Sequence, residues 1–255
     1  MKKYDKSRLI DDAGFARYFQ AASWEEYNRK FFDALAPRYD FLNTIISFGF
    51  HDRFKKSAIE KIPVPANARV LDLCTGSGDI AVALAQRYPG ISVDAVDASE
   101  KMLELAWSKA YKAGVSRRII FRQGDVMRLP YPDNHFDIVV ISFGLRNLMD
   151  IPSAIKEFRR VTRCGGVFVN IDLGKPRGFF RMRLYNIYFR RLIPFLGKHI
   201  FHRGEFNSFQ YLSASNDYFP SPEALIKICL DAGFEHPKIY DHMLGGVSQQ
   251  IAWKI

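Results

Sequence analysis

Val70-Leu71-Asp72-Leu73-Cys74-Thr75-Gly76-Ser77-Gly78-Asp79 reads as a strand, an abrupt glycine turn and the first residue of a helix. The apolar run Val70-Leu71-Leu73 suits a strand covered on both faces. Gly76 and Gly78 carry no Cβ, so the backbone there can approach a ligand closely. Ile80-Ala81-Val82-Ala83-Leu84-Ala85 supplies the apolar content of a helix packing back onto the strand. The rest of the chain reads as support, second half-site or lid for this loop.

The pattern Gly76-x-Gly78-x-x-Ala81 also matches a dinucleotide fingerprint, so charge must separate the ligands. A pyrophosphate wants a loop free of carboxylates, with backbone N–H groups aimed at it. Here Asp72 ends the strand and Asp79 opens the helix, which makes the mouth acidic. That suits a ligand with a cationic end and no phosphate, such as S-adenosylmethionine. The bland alternative is a glycine turn flanked by capping aspartates. Asp97, nineteen residues past Gly78, ends the next apolar-rich run, Val93-Asp94-Ala95-Val96-Asp97. A carboxylate there can accept hydrogen bonds from both ribose hydroxyls.

Outward from the loop, strands and helices alternate. The sequence predicts helices over 79–88, 99–113 (closed by Gly114) and 153–162, and strands over 91–97, 118–123, 136–143 and 167–172. A helix over 223–232 and a strand over 247–254 follow. Such alternation makes an α/β protein with a parallel, doubly wound sheet. Ligands then lie beyond the carboxyl ends of the strands. Asp72, Asp97, Asp125, Ser142 and Arg146 all fall at or just past such ends, and their concentration marks a site.

At 255 residues the chain is long enough for one large α/β domain with appendages. Cys74, Cys164 and Cys229 are too widely spaced for a disulfide framework or a metal site, which fits a reducing cytoplasm. No metal is expected. No apolar run reaches the ~20 residues of a bilayer span. The net charge of +10 would serve nucleic acid, an anionic membrane surface or solubility alone.

Residues 1–30 read as an N-terminal arm, and 31–255 as the main domain. A helix is nonetheless predicted over 23–36, with Ser23 and Glu26 spaced as a capping box and Pro37 ending it. The stretch 38–51, with Tyr39, Asn43 and His51 among large apolar groups, is oddly polar for core and suits a pocket wall. After Asp172 the alternation breaks. An insertion at about 175–219 is rich in aromatics and arginines, and its run over 179–196 reads equally as a lid helix or a membrane-surface helix.

Methyl transfer to carbon needs an activated ring. A phenolic hydroxyl that loses its proton pushes charge onto the ring carbon, and a cation or amide near that oxygen stabilises the charge. Arg146-Asn147, directly after the fourth strand, offers such a pair; the plain alternative for Arg146 is an ion pair with Asp150.

Several motifs in order now carry a resemblance: Gly76-Ser77-Gly78-Asp79, Phe143-Gly144-Leu145-Arg146-Asn147, and Tyr39-Asp40-x-x-Asn43-x-x-x-Ser47-x-Gly49-x-His51. Arg160-Val161 with Gly165-Gly166, the segment from Ser208 to Leu212, and Ala232-Gly233-Phe234 add to it. Together they resemble the ubiquinone/menaquinone biosynthesis C-methyltransferases of the UbiE/MenG type, from about Phe31 onward. The resemblance implies a Rossmann-like class I methyltransferase fold, with a seven-stranded, mostly parallel sheet and an antiparallel last strand. It implies S-adenosylmethionine as donor, held by Asp72, Gly76, Ser77, Gly78, Asp97, Ala98, Asp125, Val126 and Ser142. It also implies catalysis by Arg146 and Asn147 on a polyprenylated quinol, demethylmenaquinol foremost, with Tyr39, Asn43, His51 and Tyr211 lining the acceptor site. Peripheral contact with the inner face of a membrane follows from such a substrate, and a homodimer is left open. Departures from the pattern include Leu42, Phe54, Cys164, Asp172 and Gly174, mostly around the acceptor.

Rival readings are a small-molecule O- or N-methyltransferase on the same scaffold and a non-catalytic, S-adenosylmethionine-binding scaffold of a quinone-synthesis complex. A nucleic-acid methyltransferase is disfavoured because Phe143-Gly144-Leu145-Arg146 replaces the Asn/Asp-Pro-Pro-aromatic tetrapeptide of many such enzymes.

Overall fold

The computed structural model describes residues 23–193, 195 and 219–255. Its centre is a seven-stranded sheet of β1 (Arg69–Leu73), β2 (Ser92–Asp97), β3 (Ile119–Gln123), β4 (Phe136–Ser142), β5 (Thr162–Leu173), β6 (Glu235–His242) and β7 (Val247–Trp253). The spatial order is β3-β2-β1-β4-β5-β7-β6. Pairings β1–β2, β2–β3, β1–β4 and β4–β5 are parallel, and β7 runs antiparallel to both β5 and β6. The last strand is thus antiparallel, as expected, but it lies inside the sheet and β6 forms the edge. β1 pairs with both β2 and β4, so the strand order reverses between β1 and β4 and a crevice opens at their carboxyl ends.

The helices are α1 (Trp24–Leu35), α2 (Tyr39–Ile46), α3 (His51–Ile59), α4 (Asp79–Arg87), α5 (Glu100–Lys112), α6 (Ile151–Val161), α7 (Phe179–Ile187) and α8 (Pro222–Asp231). Side-chain caps set several starts: Ser99 Oγ accepts Met102 N–H at 3.1 Å, and Asp150 Oδ1 accepts Ser153 N–H at 3.0 Å. Pro152 sits in the first turn of α6, where its missing N–H is no loss, so this helix starts two residues earlier than expected. The central strands are buried on both faces: Val70, Ile138 and Val140 join one core cluster, and Leu71, Val139 and Ile141 the other.

The boundary drawn at residue 30 falls inside α1. Trp24 and Tyr27, before it, are buried, and Ser23 caps the helix by accepting Glu26 N–H at 3.2 Å. Pro37 does end α1, but the chain continues through a 3₁₀ turn straight into α2. β5 starts at Thr162, five residues ahead of the expected strand, with the β4–β5 register shifting between Phe136 and Ile138. Within the run over 179–196, α7 is followed by a π-helical turn, Tyr188–Leu192. Tyr185 and Phe189 point inward, so α7 covers the pocket as a lid would. No helix among the described residues is long and apolar enough to cross a membrane.

Candidate functional site

The crevice is built from the loops after β1 and β4. Gly76 (φ 55°) and Gly78 (φ 79°) take left-handed conformations that other residues rarely adopt. A Cβ on Gly78 would sit 2.8 Å from Ala106 Cβ, so α5 sets this glycine as much as the turn does. Across the crevice a Cβ on Gly144 would meet Cys74 Cβ at 2.5 Å, so the two loops touch.

Asp72 is buried, and its Oδ2 accepts Thr75 Oγ1–H at 2.6 Å and Ala81 N–H at 3.2 Å. It braces the loop from below and also lines the cavity, on the side where the donor contact is expected. Burial pushes its carboxyl up to about 7, against the pull of these two hydrogen bonds. Asp79 is not a free anion either: Lys55 and Lys109 both pair with it. Burial alone would raise the Asp79 carboxyl, but the two ammonium groups outweigh it and hold it below its ordinary value.

Asp97 ends β2, as expected. Its Oδ2 accepts Gly76 N–H at 2.8 Å and its Oδ1 accepts Ser99 N–H at 2.9 Å. Burial raises its carboxyl, opposed by these backbone donors. Each oxygen keeps a lone pair, so the carboxylate both fixes the glycine loop and remains able to accept ribose hydroxyls. Ala98 is exposed beside it, its carbonyl accepting Gln123 Nε2–H at 3.0 Å. Asp125 is exposed and accepts Met127 N–H at 2.8 Å in an Asx turn, while Val126 is buried. Glycines without Cβ atoms, a carboxylate at the end of β2 and an Asx turn after β3 together fit a nucleoside-bearing donor.

A cavity of about 540 Å³ runs from this loop to α7. Its polar lining includes Tyr39, Asn43, His51, Ser77, Ser142 and Arg146; most of the rest is aromatic or aliphatic, with α1, α2 and α7 among the contributors. Ser47 Oγ lies 3.0 Å from His51 Nδ1 and donates to the Asn43 carbonyl at 2.7 Å, which orients the imidazole. Burial raises the Tyr39 hydroxyl, so it stays a hydrogen-bond donor at neutral pH.

Arg146 is buried and its partner is Asp172, not Asp150: Nη1 donates to Asp172 Oδ1 at 2.8 Å. Asp150 caps α6 instead. The Arg146 guanidinium also lies 5.4 Å from the Phe143 ring centroid. Asn147 follows in the same 3₁₀ turn. Its side-chain amide turns back to the Phe143 carbonyl at 3.4 Å, and the cavity lining includes Arg146 but not Asn147. Tyr211 lies outside the described residues.

Four contacts missed by sequence reasoning bind α1 and α2 over the crevice. Trp24 Nε1–H donates to the Asn147 carbonyl at 2.6 Å. Ser99 Oγ–H donates to Asp33 Oδ1 at 2.6 Å. Asp40 Oδ1 accepts from Ser77 Oγ and Lys109 Nζ, both at 3.1 Å. Each joins segments far apart in the chain, so local pattern carries no sign of it.

A model of the ubiE/COQ5 methyltransferase family matches residues 20–254. The demethylmenaquinone methyltransferase of Thermus thermophilus is 41% identical over 204 residues, 80% of this chain and 90% of its own. The ubiquinone/menaquinone biosynthesis C-methyltransferase UbiE of Geotalea daltonii is 34% identical over 228 residues, 89% and 96% of the two chains. A SAM-dependent methyltransferase from Aquifex aeolicus superposes with a TM-score of 0.57 at 19% identity, covering 79% of this chain and 89% of that one. The last likeness carries the fold alone, a Rossmann-like methyltransferase sheet.

Proposed function

Since the chain belongs to the ubiE/COQ5 methyltransferase family, we propose that it methylates a ring carbon of a reduced, polyprenyl-substituted quinol, demethylmenaquinol above all. It is a methyltransferase dependent on S-adenosylmethionine. The observation that supports the acceptor is the cavity: apolar walls from α1, α2 and α7, with Arg146 and Ser142 beside the glycine loop. A small polar acceptor would leave such walls against water. The T. thermophilus and G. daltonii relatives carry names of quinone-pathway methyltransferases, which favours the same substrate class.

The donor supplies an electrophilic methyl group on a sulfonium. Gly76, Ser77 and Gly78 would hold its amino-acid end, and Asp97, Ala98, Asp125 and Val126 its nucleoside. The acceptor must arrive reduced, because an oxidised quinone ring is electron-poor and does not attack carbon. The quinol hydroxyl would pass its proton to a water in the cavity, and Arg146, its guanidinium held by Asp172, would stabilise the oxyanion left behind. As the ring carbon takes the methyl, the donor leaves as the neutral thioether S-adenosylhomocysteine. The ring carbon's own proton departs to water, restoring the aromatic ring, whose oxyanion is then reprotonated. Tyr39 and Asn43 orient the second oxygen. α1 and α2 keep bulk water from the reacting groups.

The test is methyl transfer to extracted demethylated quinols of naphthoid and benzoid type, kept reduced, with mass spectrometry of products. A single added methyl on the naphthoid ring supports the proposal. Transfer only to hydroxyl oxygen, or to neither quinol, refutes it.

A further inference from the structure

The mouth of the cavity is ringed by exposed apolar side chains from three separate segments. Phe48 comes from the turn between α2 and α3, Leu184 and Ile187 from α7, and Met243 and Leu244 from the connection between β6 and β7. Phe48 (φ 51°), Met243 (φ 48°) and Leu244 (φ 60°) hold left-handed backbone that bulky residues avoid. Strain kept in order to present apolar groups to water is a mark of a working surface. Just outside the mouth, Phe179 and Phe180 at the start of α7 are 74% and 84% exposed.

The charges of α7 itself have one sign. α7 contains Arg181 and Arg183 and no acidic residue, and Arg191 follows it, all three exposed. Aromatic tips flanked by arginines complement the interface of a bilayer that carries anionic lipid. We propose that this rim docks on such a bilayer, with Phe179 and Phe180 entering the headgroup layer and the cavity mouth opening onto the lipid. Passage of a tailed acceptor from the membrane into the cavity rests on the quinol reading; docking itself does not.

The test is flotation of the full chain with vesicles of phosphatidylcholine, with and without phosphatidylglycerol. Binding should need the anionic lipid and weaken with salt. Phe179→Ser/Phe180→Ser should lower partition at least tenfold, and Arg183→Gln/Arg191→Gln should lower it on anionic vesicles. Phe179 and Phe180 lie outside the cavity lining, so the first variant should keep its thermal melting point and its transfer rate on a short-tailed quinol in detergent. Equal flotation of parent and both variants, or no flotation of the parent, overturns the proposal. Flotation without transfer to any quinol would instead remove the quinol reading and leave docking standing.

Discussion

Arg146, after β4, and Asp172, near the end of β5, form a buried ion pair in which the aspartate also receives the Arg146 backbone N–H at 3.3 Å and the Leu173 N–H at 2.8 Å. The parallel register Ser142↔Ile171 brings the two strand ends together. Of the two, Arg146 lines the cavity, and Asp172 anchors it from outside the lining.

Removing one partner of a buried pair leaves a charge stranded, at a cost of about 3–5 kcal/mol. Arg146→Lys is therefore the informative variant. It keeps a cation beside Asp172 and loses the planar fork. Turnover should fall on the order of a hundredfold, the scale of one lost oxyanion donor. Donor affinity by calorimetry should stay near that of the parent. Loss of donor binding in step with turnover would place Arg146 on the donor instead.

Asp97→Ala should weaken donor binding at least tenfold, since charge-assisted hydrogen bonds contribute about 1.5–3 kcal/mol. The same change frees Gly76 N–H, so part of the effect comes through the loop. Calorimetry with S-adenosylhomocysteine on a variant with native circular dichroism reads it. An unchanged dissociation constant removes the ribose contact from Asp97.

Asp72 gives the fold a pH dependence of definite sign. Its folded pKa is about 7, above the ~3.9 of an unfolded aspartate. Between these values the folded state holds a proton that the unfolded chain has lost. Stability should thus fall as pH rises through that window, by up to about 1.4 kcal/mol per unit, and level off above it. Asp72→Asn can still accept from Thr75 and Ala81 and should remove this slope. Urea unfolding at pH 5 and pH 7 compares the two proteins; identical slopes would show that Asp72 ionises normally.

The sequence revealed the parts of the site that are local and left obscure those that are not. The run from Val70 to Asp79 announces strand, turn and helix within ten residues, and β1 and α4 fall there. The mixed polarity of 38–51 pointed to a pocket wall, and Tyr39, Asn43 and His51 line the cavity. The partners of the charged groups were hidden: Asp172 is 26 positions from Arg146, and Lys109 is 30 from Asp79. An acidic mouth inferred from Asp72 and Asp79 alone therefore missed one brace and two neutralising lysines. β6 escaped because an edge strand with Pro237 and alternating charges lacks the apolar run of a buried strand.

The hydrogen bond from Trp24 to the Asn147 carbonyl ties α1 to the turn that carries Arg146. Trp24 is buried and stacks on Tyr27 at 5.6 Å between centroids. Asn28 Nδ2 reaches the same carbonyl at 3.3 Å, so the oxygen has two donors from one helix. That carbonyl directly follows Arg146 in the chain. The two donors therefore set where the 3₁₀ turn Leu145–Asn147 lies against the cavity. Trp24→Phe preserves most of the aromatic burial and deletes one donor. Stability should drop by about 1 kcal/mol, the net worth of an ordinary hydrogen bond, because Asn28 still satisfies the oxygen. Turnover should fall more than stability predicts, with donor affinity little changed, since the freed turn shifts Arg146 relative to the acceptor. Combining Trp24→Phe with Arg146→Lys should then cost less than the sum of the two effects on turnover, because both act through one guanidinium. Full additivity in that cycle would mean that α1 only covers the site and does not position it.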